Sequence, residues 1–253
     1  VKVAVLDTGI DLDHPDLQAN IKGGVNTIRP DRTADDDNGH GTHVAGIIAA
    51  LNNTIGVVGV GPAVDLYAVK VLDRRGSGYV SDVIEGIQWS INNGMQVSNM
   101  SLGLSSDVQS FHDAVAAAKA AGITQVAAAG NSGPGGNTVI YPAKYSEVIA
   151  VAATNQSDGQ PSWSSRGPEV DLAAPGDAIY STYRGGGYRT LSGTSMSTPH
   201  VAGAAALVLA THSGLTPAQV QSHLQSTAEL LDVLTATQQG SGLVDAEIAV
   251  TTP

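Results

Sequence analysis

The chain has no cysteine, one phenylalanine and two tryptophans in 253 residues. Without cysteine there is no disulfide framework, no thiol nucleophile and no zinc site built on thiolates, and the redox compartment stays open. Basic residues are also scarce. Twelve Lys and Arg stand against 23 Asp and Glu, a net charge of -11, so the cationic surplus that neutralises phosphates is missing and nucleic acid is excluded as a partner. No apolar run reaches the roughly 18 residues of a membrane span, and no basic-then-apolar start reads as a signal peptide. The sequence opens on Val1 rather than Met, so a processed or trimmed form is expected, with a segment before Val1 missing.

What is present is small and apolar. Thirty glycines and 42% hydrophobic residues imply tight turns, closely approaching backbones and a sizeable core, and no linker divides residues 1–253 into more than one domain. Val1 to Leu6 reads as a buried strand ending at Asp7, with further strands at 66–72, 95–100, 123–129, 148–153 and 170–173. Helical patterns fill 43–51, 80–93, 108–121 and 196–211. This alternation predicts an α/β fold of three layers, a mostly parallel central sheet with helices on both faces. The ligand crevice of such sheets lies beyond the strand C-termini, where Asp7 and Asn131 both fall. Four acids, Asp31, Asp35, Asp36 and Asp37, crowd the approach to His40. They read as a solvated loop, an ion site or an attractor of basic substrate side chains.

Three segments carry chemistry: Val5-Leu6-Asp7-Thr8-Gly9, His40-Gly41-Thr42-His43-Val44-Ala45-Gly46, and Gly193-Thr194-Ser195-Met196-Ser197-Thr198-Pro199-His200. Acyl transfer by serine needs an alcohol, a neutral imidazole to take its proton, and a carboxylate to hold the imidazole's tautomer. The order Asp, His, Ser separates this chain from α/β-hydrolases, which run Ser, Asp, His and carry Gly-x-Ser-x-Gly where Ser197 stands here. His43 and His200 lie in apolar helical runs and read as packed, hydrogen-bonded histidines.

Together the three blocks resemble the signatures of the subtilase family, and the similarity runs from Val1 to about Ala249. The resemblance implies a serine endopeptidase with Asp7, His40 and Ser195 as triad and Asn131 as oxyanion donor; Thr8 and Thr194 beside them read either as hydroxyls that steady the acid and that donor or as turn formers. It implies an extended substrate strand held between Gly76-Ser77-Gly78 and Ser101-Leu102-Gly103. The S1 pocket would be lined by Ser101 to Leu104 and by Ala128, Gly130 and Asn131, with Ile140 near its base. Ile140 is expected to shorten that pocket and favour medium apolar P1 residues within broad specificity. A tight Ca2+ site would use Asp16, Asn53 and the carbonyls of Leu51, Ile55 and Val57, and a weaker one Glu169, Asp171 and the carbonyls of Ala143, Tyr145 and Val148. Hard oxygen donors of this kind suit calcium, structural and not chemical in role. The Tyr141-Pro142 bond is expected to be cis.

The resemblance further implies a secreted, extracellular monomer acting on proteins or peptides, with a propeptide or protein inhibitor as further partners and no membrane or nucleic acid. Two alternatives stay open: an inactive subtilase-fold module that binds peptides, and an esterase or peptide ligase using the same acyl-enzyme. Asn52-Asn53-Thr54 fits the glycosylation pattern, but a calcium role there argues against modification. Met196 beside the nucleophile is an oxidation liability.

Overall fold

The computed structural model describes all 253 residues. Along the chain run β1 (Lys2–Asp7), β2 (Ile21–Asn26), α1 (His40–Ala49), β3 (Asp65–Lys70), α2 (Val80–Asn92) and β4 (Val97–Met100). Then come α3 (Gln109–Ala120), β5 (Thr124–Ala128), β6 (Val148–Thr154), β7 (Leu172–Pro175), β8 (Ile179–Tyr183) and β9 (Gly187–Leu191). The chain closes with α4 (Thr194–Thr211), α5 (Pro217–Ser226), α6 (Ala236–Gln239) and α7 (Ala246–Thr251).

Seven strands form one sheet in the order β2-β3-β1-β4-β5-β6-β7, and every neighbouring pair is parallel. Side chains alternate across it. Val3 and Val5 of β1 join a core with α1, α4, α5 and α7, whereas Ala4 and Leu6 face the opposite core with α2 and α3. Both faces are therefore covered, as near-continuous apolar strands require, and each fully buried Val or Leu contributes ~1.5–3 kcal/mol. The three-layer α/β expectation holds, with a sheet that is wholly parallel.

Helix boundaries differ from the sequence reading at the two places that matter most. Helix α1 begins at His40 and α4 at Thr194, so His40 and Ser195 sit in first turns rather than ahead of the helices. Strand β2 carries Lys22, Gly23 and Gly24 and is largely exposed, which hides its pattern. Helix α5 has a legible start that the apolar pattern does not flag: Thr216 and Gln219 form a reciprocal capping box with Pro217 in the first turn.

The β8–β9 hairpin stands apart from the sheet and lies on α1. Ser181 Oγ donates to the His43 carbonyl at 2.8 Å and Thr182 Oγ1 to the Thr42 carbonyl at 2.7 Å. This contact needs Gly46, where a Cβ would lie 2.2 Å from Thr182 Oγ1. No helix is long and apolar enough to cross a membrane.

Candidate active site

Strand β1 lies at the point where the chain reverses direction across the sheet, between β3 and β4, and ligands gather outside the strand ends at such a switch. Asp7 ends β1, Ser101 follows the end of β4, and Gly130 and Asn131 follow β5. Helices α1 and α4 bring His40 and Ser195 to the same rim.

His40 Nδ1 lies 2.8 and 2.9 Å from the two oxygens of Asp7, a carboxylate with no exposed surface, while 28% of the His40 side chain is accessible. Burial pulls the His40 pKa down. The charge and hydrogen bond of Asp7, with the charge of Asp36, outweigh it and hold the pKa above the usual imidazole value. Close approach of α1 to β1 requires Gly41, where a Cβ would sit 2.1 Å from the Gly9 carbonyl oxygen.

Ser195 is tied to Ser101 in both directions. Its Oγ donates to the Ser101 carbonyl at 3.3 Å, and Ser101 Oγ donates to the Ser195 carbonyl at 2.8 Å. The second bond has a covalent cause: Pro199, four residues on, has no N–H to give the Ser195 carbonyl its helical partner. Ser195 Oγ makes no hydrogen bond to His40 in this conformation.

Asn131 Oδ1 accepts from Thr194 N at 2.9 Å and Thr194 Oγ1 at 3.1 Å, and Gly130 N donates to that same hydroxyl at 3.1 Å. The Asn131 side chain is thereby oriented with Nδ2 unpaired, beside the unpaired Ser195 N–H in the first turn of α4. Two free donors at a helix N-terminus form a place for an oxyanion. Thr194 thus bonds the Asn131 side chain through both its N–H and its hydroxyl. Thr8 reaches Asp7 through its backbone instead: Thr8 N donates to Asp7 Oδ1 at 2.7 Å, while its hydroxyl donates to Asp36 at 2.9 Å and accepts from Gly41 N at 2.9 Å.

Asp36 is the residue that sequence reasoning missed. Only 5% exposed, it is no solvated loop acid. Its Oδ1 accepts from Thr8 Oγ1, Asn38 N and Gly39 N, and its Oδ2 from Thr42 N and Thr42 Oγ1, all within 2.6–3.0 Å. These bonds join the turn after Asp7 to the first turn of α1 and so fix where His40 begins. An aspartate just ahead of a helix start is the signal that could have found it. Lys70, equally buried, donates to the carbonyls of Thr8 and Leu72 and to Asp37 Oδ1. His43 and His200 are structural. His43 Nε2 bonds the Ile179 and Arg189 carbonyls, and burial pushes its pKa down to about 4. His200 Nδ1 donates to the Met196 carbonyl at 2.8 Å.

A cleft of about 510 Å³ runs from Thr8 and His40 past Leu72 to Val80, Val83 and Phe111, with Gly76, Ser77 and Gly78 on one bank and Ser101 to Leu104 on the other. The backbone groups of Gly78, Leu102 and Gly103 have no hydrogen-bond partners, which leaves two strand-like edges open to an extended chain. Ile140 lies between Gly103 and Gly130: a Cβ on Gly103 would meet Ile140 Cδ1 at 2.5 Å, and one on Gly130 would meet Cγ1 at 3.1 Å. Ala128, 3% exposed, ends β5 behind them. Leu104 and Tyr141 exchange backbone hydrogen bonds of 2.9 Å, and Tyr141-Pro142 is cis.

The two cation sets differ. Asp16 is wholly buried yet meets only neutral donors: Asn53 Nδ2 at 2.8 Å, Val57 N at 3.1 Å and the Tyr188 hydroxyl at 3.2 Å. Burial, and after it the charge of Asp16, pushes the Tyr188 phenol up to about 12. A desolvated carboxylate wrapped by the 51–57 loop fits a hard cation in charge and donor type. Asn53 would have to turn, because its Oδ1 accepts from Ile55 N at 2.8 Å, and the Leu51 carbonyl accepts from Asn53 N at 3.0 Å. The oxygens of the second set have protein partners. Asp171 is covered by Gln221 Nε2, Gln225 Nε2 and Ala150 N, with burial raising its pKa. Glu169 accepts through both oxygens from Asn137 Nδ2, and the Tyr145 carbonyl from Val148 N. Ala143 and Val148 are each 1% exposed.

A family model described as the Subtilase family matches residues 1–246. Subtilisin Savinase of Lederbergia lenta is 51% identical over 249 residues, which cover 98% of this chain and 90% of that protein. An alkaline protease of Shouchella clausii is 51% identical over 249 residues, 98% of this chain but 64% of its own length. Subtilisin J of Geobacillus stearothermophilus is 52% identical over 252 residues, 98% of this chain and 65% of its own. A model match over nearly the whole length, and identities above half across the blocks that hold Asp7, His40 and Ser195, lead to one conclusion: the chain belongs to the subtilase family.

Proposed function

We propose that this chain is a serine endopeptidase acting through an acyl-enzyme. The observation that carries the reading is the convergence on one rim of an Asp7–His40 pair, an accessible serine and two unpaired N–H donors. Ser195 Oγ leaves the Ser101 carbonyl, gives its proton to His40 Nε2 and bonds to the scissile carbon. Asp7 keeps the other imidazole proton on Nδ1 and stabilises the cation. The negative oxygen accepts from Asn131 Nδ2 and Ser195 N–H. His40 then protonates the leaving amine, and water repeats the sequence on the ester.

A serine-directed fluorophosphonate tests the reaction class: it should label Ser195 stoichiometrically, and unlabelled folded protein would leave a peptide-binding module as the better account.

Because the pKa of His40 is raised, the neutral base is lost on acidification from above the ordinary value near 6.5. Asp36→Asn removes one negative charge that favours the imidazolium, so the acid limb of kcat/KM should move to lower pH. A limb that stays put would separate Asp36 from the electrostatics of His40 and leave it a purely structural role.

Substrate selection follows from the cleft. The open edges at Gly78 and at Leu102 and Gly103 pair with any main chain, which makes specificity broad, and protein or peptide substrates are the natural partners. Ile140 fills the gap between the two walls of the P1 site and favours medium apolar side chains. Ile140→Gly is expected to raise kcat/KM for a Phe P1 peptide relative to Leu by about tenfold or more, the worth of a few methylenes in an apolar pocket. An unchanged Phe/Leu ratio in a chromogenic series would refute the assignment.

Calcium, bound by Asp16 and the 51–57 loop, would supply charge compensation and loop rigidity and none of the chemistry. Secretion, a monomeric state and control by a propeptide or protein inhibitor belong to the same reading.

A further inference from the structure

Two histidines meet at the end of α4 remote from Ser195, about 25 Å away at 1.5 Å of rise per residue. His212 caps α4 and His223 lies in the last turn of α5. Their ring centres are 5.0 Å apart with planes at 47°. Both are half-buried and line one shallow cavity of about 530 Å³ with Gln219, Ser222 and Ser226. We propose that His212 and His223 form a binding site for a divalent transition-metal ion of the zinc or copper class, one imidazole nitrogen from each ring.

The hydrogen bonds fix the tautomer of His223 and allow the matching one for His212. His223 Nε2 is 2.7 Å from the Ala249 carbonyl. A carbonyl only accepts, so Nε2 holds the proton and Nδ1 keeps its lone pair. His212 Nδ1 is 2.8 Å from Thr211 Oγ1, whose single proton has the Leu207 and Val208 carbonyls within 3.1 and 3.2 Å. With that proton on a carbonyl, His212 Nδ1–H donates to the hydroxyl and Nε2 keeps the lone pair. Each ring thus has one nitrogen anchored to an oxygen and the other without a partner, the arrangement found in metal-ligating histidines.

The spacing agrees. At a metal–nitrogen distance of about 2.0–2.1 Å a ring centre lies roughly 3.2 Å from the ion, so two rings on a tetrahedral ion have centres about 5.2 Å apart. The observed separation of the ring centres is 5.0 Å. The rings are tilted rather than stacked, and the ion pairs of the chain lie elsewhere. Water and the oxygens of Gln219 and the two serines would complete the shell. Because His223 also holds Ala249 of α7, the ion would clamp the α4–α5 corner to the C-terminal helix.

The test is calorimetric titration of chelator-stripped, fluorophosphonate-blocked protein with zinc and then copper(II), in excess calcium so that hard-oxygen sites are filled. Binding at neutral pH should be tighter for copper than for zinc. His212→Gln should weaken it at least about tenfold, while His112→Gln leaves it unchanged, and the copper complex should show two nitrogen ligands by electron paramagnetic resonance. The His212 side chain is bonded only to its neighbour Thr211, so this variant should fold even if His223→Gln does not. Absence of binding tighter than about 1 mM, or binding indifferent to His212→Gln, would overturn the proposal.

Discussion

Ser195→Ala is expected to lower kcat by about 10⁶, with KM changed only a few-fold. The magnitude is the one known for the equivalent residue of subtilisin itself and is not obtained from this geometry. What the geometry adds is that the variant should fold normally. Alanine loses only the 3.3 Å bond from Oγ to the Ser101 carbonyl, while the backbone carbonyl of residue 195 keeps its bond from Ser101 Oγ. Single-turnover cleavage of a peptide, with circular dichroism of the same sample, measures both parts. A loss below about tenfold would place the nucleophile elsewhere.

The second large effect concerns Asn131. Asn131→Asp preserves the oxygen that accepts from Thr194 N and Oγ1 but replaces the free donor with an acceptor of negative charge. Here kcat should fall at least about 10²–10³, a range taken from the same position in subtilisin, with little change in KM. An amide donor matters only when the carbonyl oxygen becomes an anion, so its removal is felt in the transition state. Asn131→Ala would lose the donor as well but leave Thr194 N without its acceptor, so a drop in denaturation midpoint should accompany it and not the Asp variant. Equal losses of kcat/KM carried by KM alone would contradict an oxyanion role.

Much of the sheet is legible because its strands are buried on both sides. Val148–Thr154 and Thr124–Ala128 are apolar runs between glycines and polar turns, and a wholly buried strand leaves that mark in one dimension. The β8–β9 hairpin carries Tyr, Ser, Thr and Arg, because it lies on a helix and faces solvent instead of filling a sheet. Its meaning depends on the carbonyls of Thr42 and His43, far away in sequence. The site divides similarly. Asp7 and His40 stand in recognisable blocks and the fold joins them by two short contacts. Asp36 is one of four neighbouring acids, and Asp35 and Asp37 share its place ahead of the helix start, so only the fold shows which one turns inward to five donors. The Glu169 and Asp171 set came from the resemblance, and only the fold shows that the glutamines of α5 reach Asp171.

Strand β1 in the middle of the sheet has a kinetic consequence. It pairs with residues 65–70 on one side and 97–99 on the other, and no adjacent hairpin in the seven-stranded sheet can form first as a template. Loops of this length must close before any contact repays them, which makes folding slow and strongly cooperative. The groups that would cut a peptide sit at the ends of β1, α1, β5 and α4, so they come into register only when almost the whole topology is in place. A partly folded chain therefore holds cleavable segments but no blade, and destructive capacity is acquired in the same step that makes the chain resistant to it.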